Sequence, residues 1–328
     1  MVAASLLVVL SACSNDAAAP SSLPQSPAEP GPTEAPPTDA PTADAPQPGT
    51  PAEAILDNRS SRPGIVFGSF NMKNEYLNTV HTGWMNGGPL DPSNIMTWLS
   101  GARAKGGRVV LKLCKGRDSY VKENGRFSLT KWKALVARYR NLPLGSYISD
   151  GTIVGHYLID EPHRGSRWGG DGISPATLEE MARFSKEIWP DLTTMVRVAP
   201  SWLASSPITY RYVDAGWTQY TTGKGDAAKW VASEAAAAKQ KGLGLVVGMN
   251  VMEGGDGSSK IRGDYPGHWR MSPTEIRKYG GALLAQSLAC AFFNWHHDAA
   301  FYNRADIKSA MTEVSAKARA HAKTACRQ

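Results

Sequence analysis

The sequence predicts a (β/α)8 barrel preceded by an unstructured N-terminal segment, and three observations carry that expectation. From about residue 60 onward, short apolar runs of β type alternate with segments of helical periodicity, the order of a parallel sheet wrapped by helices. That region is about 270 residues long, the usual size of such a barrel. The rival fold, an open doubly wound sheet, would carry a glycine-rich phosphate loop after its first strand. GSFNMKNE stands there instead.

Each element has its own justification. Ile65–Phe70 (IVFGSF) reads as the first strand and Asn94–Lys105 as a helix with apolar residues at helical spacing. Arg108–Cys114 is a strand, Leu129–Tyr139 a helix and Thr152–Asp160 a strand. Ser174-Pro175 opens a helix running to Ile188, with Ser as N-cap and Pro in the first turn. Thr194–Ala199 and Asp214–Tyr220 are strands, Ala227–Lys241 an Ala-rich helix and Leu243–Val251 a strand. Ser272-Pro273-Thr274-Glu275 is a capping box opening a helix to about Gln286. Ala289–Trp295 is the last strand and Ala305–Thr324 the last helix. Eight strands then require one between residues 71 and 107, and Leu77–Trp84 is the candidate.

Composition excludes several classes. Hydrophobic residues are 42% and charged residues 20%, the balance of a globular protein. The longest apolar run, Val2–Leu10, is far short of the roughly 20 residues of a spanning helix. Four cysteines in 328 residues exclude a disulfide-dense scaffold.

The N-terminal part divides in two. Residues 1–13, MVAASLLVVLSAC, end in Leu10-Ser11-Ala12-Cys13 and resemble a bacterial lipoprotein signal peptide, although no Lys or Arg precedes the apolar stretch. The resemblance implies lipidation of Cys13 and an exported, lipid-anchored protein of the bacterial cell envelope, periplasmic or at the cell surface. Residues 14–58 read as a disordered Pro/Ala/Thr-rich linker; 11 of the 22 prolines fall between Pro20 and Pro51. Residues 59–328 form the barrel domain, with 36 basic against 22 acidic residues, a net of +14. Its Lys and Arg are scattered without a run of five, so an anionic surface or a polysaccharide is the expected partner rather than nucleic acid. Membrane contact is expected through the lipid anchor alone.

Barrel enzymes carry their chemistry at the C-terminal ends of the strands. Two strands are followed at once by Glu: the fourth runs into Asp160-Glu161-Pro162 and the seventh into Met252-Glu253-Gly254. In this order of strands the sequence resembles the clan A glycoside hydrolases, with Asn-Glu-Pro after strand four and Glu after strand seven. The resemblance implies retaining hydrolysis of a glycan, Glu161 as acid/base and Glu253 as nucleophile, without a cofactor. One carboxyl protonates the leaving oxygen and the other attacks the anomeric carbon. Trp295 matches the clan's sugar-platform tryptophan and Tyr220 its nucleophile-binding tyrosine. Asp160 departs from the clan's Asn. It is expected to bind substrate and, as a second carboxylate, to raise the pKa of one of the pair.

Asn71, Trp84, Trp202 and His296 complete the expected substrate contacts, while Trp217 and Trp189 read as packing. Lys112, a charge inside the barrel, needs a carboxylate partner. Cys290 opens the last strand at the barrel bottom and the last helix returns there, which places Cys326 within disulfide reach; Cys114 is left as a buried thiol. Two other functions compete. One is a non-catalytic carbohydrate-binding protein on the same barrel. The other is a metal-dependent hydrolase using His296 or His297 with Asp298, although consecutive strand residues point to opposite faces. The Gly254-Gly255-Asp256-Gly257 segment is a loop with no firm claim on calcium, and no metal site is expected.

Overall fold

The structure, a computed structural model, describes residues 62–86 and 90–326. The expected signal peptide with Cys13, and the 14–58 linker, lie outside the described residues. Eight parallel strands close into a barrel: β1 (Val66–Phe70), β2 (Gly83–Met85), β3 (Arg108–Leu111), β4 (Ile153–Asp160), β5 (Thr194–Arg197), β6 (Ala215–Trp217), β7 (Gly244–Val247) and β8 (Ala289–Asn294). Each pairs with its neighbour in sequence, and β8 closes on β1 with Val66 opposite Ala291.

Among the described residues, six helices of nine residues or more cover the outside: α1 (Ile95–Ala104), α2 (Leu129–Ala137), α3 (Pro175–Ile188), α4 (Ala227–Gln240), α5 (Pro273–Leu284) and α6 (Ala305–Ala320). Their starts are fixed chemically. Ser174 Oγ accepts from Thr177 N at 3.2 Å, and Asp226 Oδ1 from Lys229 N at 2.8 Å. Ser272 and Glu275 form the reciprocal capping box. Shorter elements replace the β1–β2 and β5–β6 helices: a 3₁₀ turn at Asn74–Tyr76 and a short helix at Pro200–Ala204.

The second strand sits later than the sequence pattern placed it. Asn78 Oδ1 accepts from Val80 N (2.7 Å) and His81 N (2.9 Å), so this stretch turns where the apolar spacing predicted extension. Only Gly83 and Trp84 of the expected Leu77–Trp84 strand join the sheet.

The barrel interior and the strand–helix layer are separate apolar clusters, because alternate strand residues face opposite ways. Val66, Val110, Val154, Met195, Val246 and Phe293 fill the interior; Phe67, Val109, Leu111, Leu245 and Phe292 face the helices. Near the top the interior turns aromatic. Phe70 stacks on Trp295 (centroids 4.6 Å apart) and meets Tyr157 and Trp217 edge-on or tilted at 6.0 and 6.1 Å. At the bottom, Cys326 belongs to the interior cluster and is disulfide-bonded to Cys290. A Cβ on Gly244 would lie 2.0 Å from the Cys326 carbonyl oxygen, so the returning chain seats only against glycine there. No helix among the described residues is long and apolar enough to cross a membrane.

Candidate functional site

Sterics and hydrogen bonds at the end of β4 set the first half of the site. Glu161 leaves the strand in the left-handed region (φ 46°), its N–H donating to the Arg197 carbonyl at 3.0 Å. Trp168 Nε1 donates to the carbonyls of both Asp160 (3.1 Å) and Glu161 (3.0 Å), which pins the turn. A short helix, Gly165–Trp168, brings Arg167 back over the strand end.

Arginines crowd the two carboxyls. Arg197, the last residue of β5, places Nη1 2.9 Å from Asp160 Oδ1 and 2.8 Å from Glu161 Oε1. Arg167 Nη1 lies 2.5 Å from Asp160 Oδ2 and 3.2 Å from Glu161 Oε2, while its other nitrogens hold Asp118 at 2.6 and 3.0 Å. Arg164 adds a third guanidinium to Glu161 Oε2 at 2.9 Å. Burial works to raise the Asp160 carboxyl, but Arg197 and then Arg167 outweigh it and hold the group below its ordinary range. The elevation expected from paired carboxyls therefore does not occur at Asp160. Lys112, whose Nζ donates to the Gly116 carbonyl at 3.4 Å, adds to the same field. Tyr157, buried beneath, is pushed well above its usual pKa by burial first and by Asp160 second.

Glu253 forms the second half. Its Oε1 accepts from Asp264 N at 2.6 Å and its Oε2 from Tyr265 N at 3.4 Å, so its carboxylate organises the loop that follows. His268 Nδ1 hydrogen-bonds the Glu253 carbonyl at 3.0 Å.

Glu161 and Glu253 line one cavity of about 590 Å³ at the barrel mouth, with Asp160, Asn250, Trp295 and the three arginines; Tyr265 and His268 form its rim. A second lobe of about 360 Å³ shares Glu161, Arg164, Arg197 and Asn250 and extends over Trp217, Gln219 and Lys224. Trp217, read from sequence as packing, is 1% exposed and packs on Phe70 and Tyr157 in the barrel interior, so it bounds this lobe from below as part of the core.

The other expected contacts fall elsewhere. Trp84 is fully buried and donates from Nε1 to Asn74 Oδ1 at 2.7 Å, so it has no face to offer a sugar. Tyr220 is also buried, packs on Tyr279, and its hydroxyl donates to the Gly225 carbonyl instead of to Glu253. Asn71, another left-handed residue, accepts from Asn86 Nδ2 at 2.9 Å and lines neither lobe. Trp202 lies beside His163, with ring centroids 6.1 Å apart, outside both lobes. His296 meets Trp295 edge-on and stands 3.8 Å from Asp264. His297 packs instead among Tyr76, His81 and Tyr302, and Asp298 caps a short helix through Phe301 N. No cluster of three or more potential metal ligands occurs among the described residues.

Sequence reasoning missed Arg164, Arg167, Arg197, Asn250 and His268. A signal existed for Arg197, a charge closing an otherwise apolar strand, and for Arg164 and Arg167, three and six residues beyond Glu161.

Comparison with known proteins agrees with this architecture. No family model and no curated protein matches the sequence. Among solved structures, an endo-β-1,4-mannanase from Thermotoga petrophila is similar with a TM-score of 0.53 at 12% identity, over 80% of this chain and 78% of that one. The β-glucanase SdGluc5_26A from Saccharophagus degradans gives 0.54 at 9% identity, over 78% and 88%. A β-galacturonidase from Eisenbergiella tayi gives 0.50 at 10% identity, over 79% of this chain but only 51% of that longer protein. The closed parallel barrel is a (β/α)8 fold, and these solved structures share it.

Proposed function

We propose that this chain is an exported, lipid-anchored glycan-binding protein, which holds an oligo- or polysaccharide in the cleft at the mouth of a glycosidase-type barrel. The observation that carries this reading is the pairing of Glu161 with three guanidiniums. A general acid must present a proton to the leaving oxygen. Carboxylate oxygens that already accept from arginine N–H groups are placed to accept, not to donate. The same network makes a fixed, polar surface beside Trp295, suited to sugar hydroxyls on one side and an apolar sugar face on the other. Export rests on the Leu10-Ser11-Ala12-Cys13 motif and suits the Cys290–Cys326 disulfide. Neither a cofactor nor nucleic acid enters this function, and the membrane is met through the lipid on Cys13 alone.

Retaining hydrolysis, with Glu161 as acid/base and Glu253 as nucleophile, is the second reading. The sharing of one cavity by the two carboxyls favours it. It requires substrate to displace Arg164, the most exposed of the three arginines with 58% of its side chain accessible.

The test measures binding and reducing-end release with a panel of oligosaccharides for the wild type, Glu161→Gln and Glu253→Gln. Binding without turnover, weakened roughly tenfold or more in Glu161→Gln, is the expected result. Turnover abolished in both variants while binding persists selects hydrolysis. A protein that neither binds nor cleaves any glycan is neither.

A further inference from the structure

Both oxygens of the buried Glu253 carboxylate face the main chain of the loop that follows it, Oε1 accepting from Asp264 N and Oε2 from Tyr265 N. The chain then turns at once. His268 N–H donates to the Tyr265 carbonyl at 3.2 Å across Pro266 and Gly267, and Gly267 has a φ of 80°. Proline at the second position and a left-handed glycine at the third are the residues of a type II turn. The base of the turn is tied as well. Gly263 N–H donates to the His268 carbonyl at 3.0 Å, and the Arg270 guanidinium reaches Asp264 Oδ1 at 3.0 Å. Tyr265 is therefore presented from a fixed backbone.

What this turn presents is an open aromatic ring. Tyr265 lines the larger lobe and is nevertheless 66% exposed. His268 meets its ring edge-on, at 69° with centroids 6.3 Å apart, which leaves a ring face uncovered. Trp295 in the same lobe is more committed to the protein: Phe70 stacks on it, and the Arg197 guanidinium lies over its ring, 4.9 Å from the centroid. The other exposed large apolar side chain among the described residues, Tyr120, lines neither lobe, and the Lys115 ammonium lies over its ring at 4.9 Å. A lone exposed tyrosine is ordinary on a protein surface. One held on a tied turn at the edge of a cleft is a ready contact, because Tyr offers a large amphipathic surface and loses little freedom when covered. The apolar C–H face of a pyranose ring is a partner of matching shape.

We propose that Tyr265 is a sugar platform at the outer edge of the cleft: its ring takes the apolar face of a sugar beyond the one that meets Trp295, and Glu253 is its positioning residue. This rests on the glycan-binding reading and adds that affinity comes from sugars at the rim as well as from those inside the lobe.

Titration calorimetry on the full chain tests it with the disaccharide and the hexasaccharide of three series, gluco-, manno- and galacturono-oligosaccharides. In a series that binds, Tyr265→Ala should lose roughly tenfold in hexasaccharide affinity and less than about twofold in disaccharide affinity. Tyr265→Phe, which keeps the ring, should bind as the wild type does. Tyr120→Ala, at the exposed tyrosine outside both lobes, should be silent with either length. Hexasaccharide bound by Tyr265→Ala as tightly as by the wild type, equal losses at both lengths, or a Phe variant as weak as the Ala one would each overturn the platform while glycan binding stands. No binding of any probe by the wild type overturns the glycan-binding reading itself.

Discussion

Arg197 Nη1 lies 2.8 Å from Glu161 Oε1, and the Arg197 carbonyl accepts the Glu161 N–H at 3.0 Å, so side chain and main chain of one residue both fix the other. The same Nη1 reaches Asp160 at 2.9 Å. β5 thus sets the conformation of the β4 end. Replacing Arg197 by Ala leaves Asp160, 5% exposed, with Arg167 as its remaining guanidinium. Removing one partner of a buried pair costs about 3–5 kcal/mol, and the Arg167 contact that survives on Asp160 puts Arg197→Ala at the low end of that range. Denaturant unfolding of Arg197→Ala measures it, and a change below about 0.5 kcal/mol, the scatter of ordinary surface substitutions, would show the pair to be inert.

Acid sensitivity should come from histidines outside the cleft. Burial lowers His81 and His156 to about 3 and His297 to about 4. Each is neutral in the folded chain and takes up a proton near pH 6.5 when unfolded. The unfolded state then binds more protons, so stability rises with pH between the folded and unfolded values and is lost as pH falls below about 6.5. For His156, which hydrogen-bonds Ser185 Oγ at 2.8 Å and stacks on Trp132, this is on the order of 2 kcal/mol between pH 6.5 and 5. Unfolding free energies over pH 5–7 should slope accordingly, and a flat profile would contradict the buried neutral assignment. Asp160 acts in the opposite range. Its lowered pKa means its contribution is intact above about pH 4 and fades only below that.

The fold was legible because barrel strands are apolar on both faces and each is followed by a capped helix or a turn. β4 and β8 lie within one residue of where those patterns put them and the Ser174 and Ser272 caps stand as expected, while β5 starts at Thr194 as expected and ends at Arg197, two residues before the expected Ala199. β2 was displaced because Asn78 side-chain bonds, invisible to periodicity, bend the preceding segment. At the site, the strand-end rule brought Glu161, Glu253 and Trp295 to one cavity. It failed for Trp84 and Tyr220 because a strand-end aromatic points either to the mouth or into the helix layer, and one residue of register decides which. The arginines escaped notice because their meaning lies in where their side chains return: Arg167 is seven residues from Asp160 in sequence and 2.5 Å away in space.

The Cys290–Cys326 bond closes a separation of 36 residues at the barrel bottom. Loop-closure entropy puts its contribution at about 3–4 kcal/mol. Reduction should lower the unfolding free energy by that amount without altering glycan binding, since the bond lies at the opposite end from the cleft. Equal stability with and without reductant would show that packing of Cys326 in the interior suffices.

Gly263 tests how far Glu253 depends on its loop. A Cβ there would fall 2.4 Å from Glu253 Oε2 and 2.8 Å from the Met252 carbonyl, so Gly263→Ala must push the carboxylate or the loop aside. The hydrogen bonds that the Asp264 and Tyr265 N–H groups donate to the Glu253 carboxylate would be the first to lengthen. Loss of one such charge-assisted bond is worth about 1.5–3 kcal/mol. Glycan affinity should therefore fall tenfold or more in Gly263→Ala, approaching the loss in Glu253→Gln, while the double variant should be little worse than either single one. Additive losses would mean that residue 263 and Glu253 act on the ligand independently, and that the carboxylate's place in the cleft is set by β7 rather than by the loop it holds.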